Sequence, residues 1–267
     1  DRETMPGMLS RPMANLSFTQ RIRDSRLAAF VVPFAVFMVS LQLIQWIRSD
    51  ADGLPWWRTH PEHWGYPLQA ILCLALVFWF RKSYPHFSLR GFGFGTILGV
   101  LGILLWLTPP AIHHFTGLGG EQKLPWLSWL GFQPRSDGFN PSAFGEETSP
   151  KLLIAILAMR LLRLVVAVPL LEEFFWRGFL MRWLIPSKEG WENLPIGSYD
   201  KQAFWFTSIA FALAHAGPDF FVALIFGALA GWVTVKTKNL WAVVWMHAVA
   251  NLLLGIFILM TKWWGLW

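Results

Sequence analysis

Glutamate, histidine and asparagine side chains lie within three strongly apolar stretches of this sequence. Ionisable groups inside membrane-spanning segments are costly and rare, and they mark functional sites by default. The first group is Glu172-Glu173-Phe-Phe-Trp-Arg177, in which Glu173 and Arg177 are four residues apart and share a helix face. Two adjacent carboxylates in a low dielectric resist simultaneous ionisation. One of them is therefore a candidate general base, and the alternative is a purely structural ion pair at a helix end.

Two further groups follow toward the carboxyl end. His215 lies one helical turn after Phe211, whose ring could form one wall of a pocket. A lone histidine in an apolar helix is more often a packing residue than a functional one. His247 and Asn251 are four residues apart, so their polar ends project from one stripe of a helix. They are either site residues or an interhelical hydrogen-bonded pair that holds the bundle together.

Together, these groups predict a shared site. Because isolated buried polar groups are unfavourable, we expect Glu172, His215, His247 and Asn251 to line one cavity. A carboxylate and a histidine that share a water molecule can deprotonate it, and the His247 and Asn251 side chains can donate hydrogen bonds to an oxyanion. This set suits hydrolysis of an amide without a covalent intermediate.

The three motifs, in this order, resemble those of the CPBP family of intramembrane proteases. The family takes in type II CAAX prenyl endopeptidases, bacteriocin-processing proteins and Abi-like proteins. The resemblance covers residues 150 to 260 and implies a metal-independent, glutamate-dependent endopeptidase within a helical bundle. The run Ala214-His215-Ala-Gly-Pro-Asp219 also resembles a bacterial branch found alongside exosortase sorting systems.

The resemblance implies a role for each of six residues. Glu172 is implied to be the general base, and His215 to position the attacking water. The remaining roles are stabilisation of the oxyanion or a second polar layer, for His247 and Asn251, and support of the site, for Glu173 and Arg177.

The composition is that of an integral membrane protein. Of 267 residues, 55% are hydrophobic and 14% are charged, whereas about a quarter of the residues in soluble domains are charged. The formal net charge of +6 comes from basic residues that lie mostly at segment ends. We therefore expect contact with a lipid bilayer and no nucleic-acid partner. The single cysteine, Cys73, excludes an internal disulfide and any multi-cysteine metal site.

The apolar stretches predict an all-α fold, a polytopic transmembrane helical bundle of seven or eight spans. Residues 1–26 form a basic lead with five arginines, and residues 27–267 form the membrane domain, whose catalytic core is 150–260. Stretch 152–185 is either one helix bent at Pro169 or two helices, which leaves the number of spans open. The distribution of basic residues predicts a multi-pass protein of the cell membrane with a cytoplasmic amino terminus. The predicted spans are 27–47, 64–80, 91–107, 152–185, 203–216, 220–235 and 240–260.

Three alternative functions stay open. Glu172, His215 and His247 could bind zinc with an open fourth position, although the sequence has no HExxH motif; otherwise we expect no cofactor. The chain could also be a non-catalytic membrane scaffold, or a peptide-binding or immunity protein that uses the same cavity. A proton-coupled transporter is the third option, but there is no evident inverted repeat. If the chain is a protease, its substrate is a membrane-associated protein or peptide, lipidated or not.

Overall fold

The computed structural model describes residues 17–49, 51–135, 138–141, 149–215 and 217–267. Within these residues the only regular secondary structure is helix, which confirms the all-α fold. Residues 1–16 of the basic lead lie outside the described residues, as do residue 50, residues 136–137 and 142–148, and residue 216. The helices are α1 (Phe18–Asp24), α2 (Arg26–Ile47), α3 (Trp56–Thr59), α4 (Glu62–Trp79), α5 (Phe92–Thr116), α6 (Pro150–Trp183), α7 (Lys201–Ala214), α8 (Phe220–Thr237) and α9 (Leu240–Thr261).

Five described helices, α2, α5, α6, α8 and α9, are long and apolar enough to cross a membrane. They suit a multi-pass membrane protein, but the predicted seven or eight spans are not confirmed. The predicted spans 64–80 and 203–216 correspond to helices α4 and α7, which are not among these five. Helix α7 has only 14 residues, about 21 Å at 1.5 Å per residue, whereas the hydrocarbon core is about 30 Å thick. Helix α4 begins with Glu62 and His63 and also contains Gln69, and these side chains lower its mean hydropathy.

Helix α6 is one continuous helical run of 34 residues, so Pro169 does not divide the stretch into two helices. Two π-helical segments, Arg163–Ala167 and Phe174–Leu180, lie within it. In the first of them, the backbone N–H of Val168 donates to the carbonyl oxygen of Arg163, which is the i→i+5 pattern of a π turn. The next donor in that pattern is residue 169, and proline has no N–H. The carbonyl of Leu164 therefore needs another donor.

Glycine residues bring α5 into close contact with α9. A Cβ atom at Gly99 would lie 2.5 Å from the carbonyl oxygen of Met246, and one at Gly95 would lie 2.7 Å from that of Ala242. Small residues at helix crossings allow this approach of two backbones in a membrane. The contact fixes the position of the helix that contains His247.

The glycine contact predicts that Gly99→Ala destabilises the protein by about 1–3 kcal/mol, the usual cost of overpacking. The matched control is Gly93→Ala, since Gly93 is in the same helix and a Cβ atom there meets nothing within 4 Å. Thermal unfolding of the purified protein in detergent measures both. If the two variants unfold at the same temperature, α5 and α9 are not in backbone contact at Gly99.

Candidate active site

A cavity of about 350 Å³ lies among the helices. Glu172, His215, His247 and Asn251 all line it, so the structure brings these four predicted site residues together. They come from α6, the end of α7 and α9. Phe211 also lines the cavity, as the sequence suggested. Glu173 and Arg177 are not part of the cavity wall.

Behind the wall, Glu173 links the side chains of two other site residues. The Arg177 Nη1 donates to Glu173 Oε2 at 2.8 Å, and the His247 Nδ1 donates to Glu173 Oε1 at 2.7 Å. Both Glu173 and Arg177 are 0% exposed. Arg177 also donates to the carbonyl oxygen of Gly227 at 2.9 Å, and its guanidinium lies 4.8 Å from the ring centre of Phe211. Glu173 and Arg177 together therefore connect α6 with α7, α8 and α9.

The two adjacent glutamates have different surroundings. Glu172 lines the cavity, and its carboxylate has no hydrogen-bond partner among the described residues. Glu173 accepts two hydrogen bonds, each from a group that can be charged. The rotation of about 100° between neighbouring helical residues explains this separation. Glu173 is therefore held in place by two donors, whereas no described residue donates to Glu172.

The side chain of His215 is oriented by the end of its own helix. Its Nδ1 lies 2.9 Å from the carbonyl oxygen of Phe211, and because a carbonyl can only accept, Nδ1 carries the hydrogen. In the neutral ring Nε2 is then an acceptor. The sequence predicted His215 inside a span, but α7 ends at Ala214 and His215 is its C-cap. Gly217, with φ of +99°, and Pro218 follow, and both favour termination.

Asn251 hydrogen-bonds to the backbone of α6. Its Nδ2 donates to the carbonyl oxygen of Leu164 at 2.8 Å, the carbonyl that lacks a partner because of Pro169. His247 and Asn251 therefore both form hydrogen bonds between α9 and α6. This agrees with the alternative that the two residues hold the helical bundle together. They also line the cavity, so a role in holding the bundle does not exclude a role in the site.

The model of the type II CAAX prenyl endopeptidase Rce1-like family matches residues 154–253, which include all three motifs. The match supports the resemblance to the CAAX proteases that the motifs indicated. The matched family is a protease family, which supports a protease at family level. No curated protein and no solved structure matches the chain.

Three further charged residues of the family segment line the cavity, and the sequence did not assign them a role. They are Arg160, Arg163 and Asp219. Asp219 accepts a hydrogen bond from Arg135 at 2.8 Å. The two arginines were visible as charges within an apolar stretch, but they belong to no family motif. The two arginines contact residues of α4 that are distant from them in sequence. The spacing of residues along the chain does not indicate contacts of this kind.

One cluster among the described residues has the ligand types of a metal site. The ligand atoms of His60, Glu62 and His63 lie within 4.8 Å of one another. None of the three lines the cavity of the protease segment. The zinc alternative proposed from sequence used Glu172, His215 and His247, and the ligand atoms of this set do not meet the same distance in the structure.

The buried network predicts that Glu173→Ala and Arg177→Ala each destabilise the protein by about 3–5 kcal/mol, because each leaves a buried charge without its partner. Thermal unfolding in detergent measures the loss. Asp24→Ala is the control, since Asp24 pairs with Arg23 at the exposed amino end and such pairs contribute little.

The double variant Glu173→Leu/Arg177→Leu removes both charges and should recover part of the lost stability without recovering activity. Unfolding of both single variants at the temperature of the parent would contradict a buried pair.

Proposed function

We propose that this chain is an intramembrane endopeptidase that hydrolyses a peptide bond of a membrane-associated protein or peptide by attack of water. The observation that supports the proposal most is that the Glu172, His215, His247 and Asn251 side chains line one cavity. Among the described residues Glu172 has no hydrogen-bond partner, so its carboxylate is available to a reactant. The family match supports the reaction class.

In the proposed first step, Glu172 removes a proton from a water molecule in the cavity. His215 holds the same water through Nε2, the ring nitrogen that the bond from Nδ1 to Phe211 leaves free. The water oxygen attacks the carbonyl carbon of the scissile bond as its proton moves to Glu172. Glu172 then transfers that proton to the leaving amine, which balances the reaction without a covalent intermediate.

The negative charge that develops on the carbonyl oxygen needs a donor. His247 can donate from Nε2 when its ring is protonated, and the Glu173 carboxylate, which accepts from Nδ1, stabilises that cation. Arg177 donates to the other oxygen of Glu173 and so holds that carboxylate in place. Glu173 and Arg177 are thus positioning residues, and Asn251 adds a polar group to the same side of the cavity.

The location of the protein follows from the same proposal. Five helices are apolar enough to span a membrane, and we infer a multi-pass protein of the cell membrane with a cytoplasmic amino terminus. The cavity lies among these helices, so its substrates are peptides at or within the bilayer. Lipidated and non-lipidated peptides both remain candidates.

The proposal predicts that Glu172→Gln removes hydrolysis while the protein still folds. Purified protein is incubated with a library of prenylated and unprenylated peptides, and the cleavage rate should fall at least about 100-fold, the usual contribution of a general base. Glu192→Gln is the matched control, since Glu192 is exposed and does not line the cavity.

Cleavage by Glu172→Gln at the parental rate would remove Glu172 from the mechanism. If no peptide is cleaved by the parent but both proteins bind a peptide partner equally, the scaffold alternative is correct.

The proposal also predicts that hydrolysis does not need a metal ion. Activity should persist after prolonged treatment with a chelator and dialysis, and added zinc should not raise it. Loss of activity on chelation, with recovery on addition of zinc, would instead support the zinc-dependent hydrolase.

A further inference from the structure

Three side chains with the ligand types of a metal site lie at the junction between α3 and α4. They are His60, the C-cap of α3, and Glu62 and His63, the first two residues of α4. Their ligand atoms lie within 4.8 Å of one another, and the described residues contain no other such group of three. The cluster lies outside the segment that matches the protease family, and the proposed hydrolysis assigns it no role.

A tight turn of the backbone brings the two histidines together. The N–H of His63 donates to the carbonyl oxygen of His60 at 3.2 Å, which closes a turn of four residues. Pro61 has φ of −64° and ψ of −22°, the values of the second position of a type I turn, where proline is favoured. The ring centres of His60 and His63 are 5.9 Å apart. Because the turn is already formed, little backbone freedom is lost when both rings bind one ion.

The distances within the cluster are close to those of zinc coordination. The Nδ1 of His60 lies 3.5 Å from the Oε1 of Glu62. Bonds of about 2.0–2.1 Å in a tetrahedral arrangement place neighbouring ligand atoms about 3.3 Å apart. Since no two ligand atoms of the cluster are more than 4.8 Å apart, each distance needs to shorten by no more than about 1.5 Å. The His60 side chain is 35% exposed, so its rotation toward the other two residues meets little obstruction.

The ring of His63 is oriented by the groups around it. Its centre lies 4.6 Å from the ring centre of Phe139, and the backbone of Asn140 also acts on it. The residue is 8% exposed, so this ring is packed on most sides. Metal-binding histidines usually have outer groups that fix the orientation of the ring.

The charges near the cluster favour a transition metal over calcium or magnesium. Glu62 is the one carboxylate of the group, while the positive charge of Arg160 also acts on His63. The amino-terminal end of α4 adds a further positive potential. Calcium and magnesium are bound mainly by several oxygen ligands, whereas imidazole nitrogens suit zinc. Binding here therefore depends on bonds from nitrogen more than on negative charge.

The cluster also has room for a fourth ligand. Glu62 lines a second cavity of about 130 Å³, which is large enough to hold water. The partial exposure of His60 gives an ion a route from solvent.

A simpler explanation accounts for two of the three residues. A carboxylate in the first turn of a helix is favourable, and Glu62 is also placed to pair with His60. This explanation does not require the buried His63 to lie beside them. A metal site accounts for all three residues together.

We propose that His60, Glu62 and His63 bind one Zn²⁺ ion, with a water molecule as the fourth ligand. The ion joins the end of α3 to the first turn of α4 and so stabilises this corner of the bundle. The proposal uses no residue of the three protease motifs and does not depend on the proposed function.

The test measures Zn²⁺ binding to the full chain, without a histidine tag and after treatment with a chelator, in maltoside detergent. Competition with a fluorescent zinc indicator should show one ion per chain. His60→Gln and Glu62→Gln should each weaken binding at least about 10-fold, since even the loss of an outer partner weakens metal binding about 10- to 100-fold. Neither residue is fully buried, so both variants should fold.

Two matched controls keep their histidine clusters intact. His86→Gln removes an exposed histidine outside the cluster and should bind zinc like the parent. His215→Gln changes the set of the zinc-dependent hydrolase and should also bind zinc like the parent.

Two measurements on the parent do not depend on any variant. Added Co²⁺ should give the strong visible absorption of tetrahedral coordination, and Zn²⁺ should displace it. Zn²⁺ at about a hundredfold excess over Kd should raise the melting temperature by about 5 °C.

Several results would overturn the proposal. They are no Zn²⁺ binding by the parent, an unchanged affinity in His60→Gln, and equally tight binding of Ca²⁺. Loss of zinc binding in His215→Gln, with full binding in His60→Gln, would place the metal at the protease motifs instead. Hydrolysis by the parent is measured separately, so failure of the metal site leaves the proposed endopeptidase untouched, and the reverse holds as well.

Discussion

The charge on Glu173 is the constraint on which the site depends. This carboxylate has no exposed surface, so its charge is tolerable only because Arg177 and His247 donate to its two oxygens. These two hydrogen bonds to Glu173 fix the rotation of α6, the distance between α6 and α9, and the orientation of the His247 ring. Glu172, one position earlier, then lines the cavity and has no donor among the residues that the structure describes. One buried network therefore creates the contrast between a carboxylate that is held and one that faces the cavity.

The fold could be predicted only in outline. Apolar stretches indicated helices and a membrane location, and the described residues form helices as the only regular structure. The number of spans was not confirmed, because hydropathy does not show where a helix ends: α7 stops at Ala214, before Gly217 and Pro218. The course of α6 at Pro169 was left open, since the π turn that accommodates the proline depends on Asn251, a residue of another helix.

The sequence predicted that four polar residues of the candidate site would lie close together. Burial cost and motif order indicated that Glu172, His215, His247 and Asn251 would meet, and they line one cavity. The i,i+4 rule also gave the contact between Glu173 and Arg177. What the sequence could not show were contacts between distant segments, such as the bond from Arg163 to Gln69 and the bond from His247 to Glu173. These contacts decide which donors are occupied and which remain available.

The most direct test of this account is the protonation state of the His247 ring. Nitrogen NMR of protein labelled with ¹⁵N-histidine, with the signals assigned through His247→Asn, reports which ring nitrogen carries hydrogen. We expect a protonated Nδ1 in a strong hydrogen bond to a carboxylate, and we expect this signal to change in Glu173→Gln. A neutral ring with its hydrogen on Nε2 alone, unaffected by Glu173→Gln, would show that Glu173 does not hold His247.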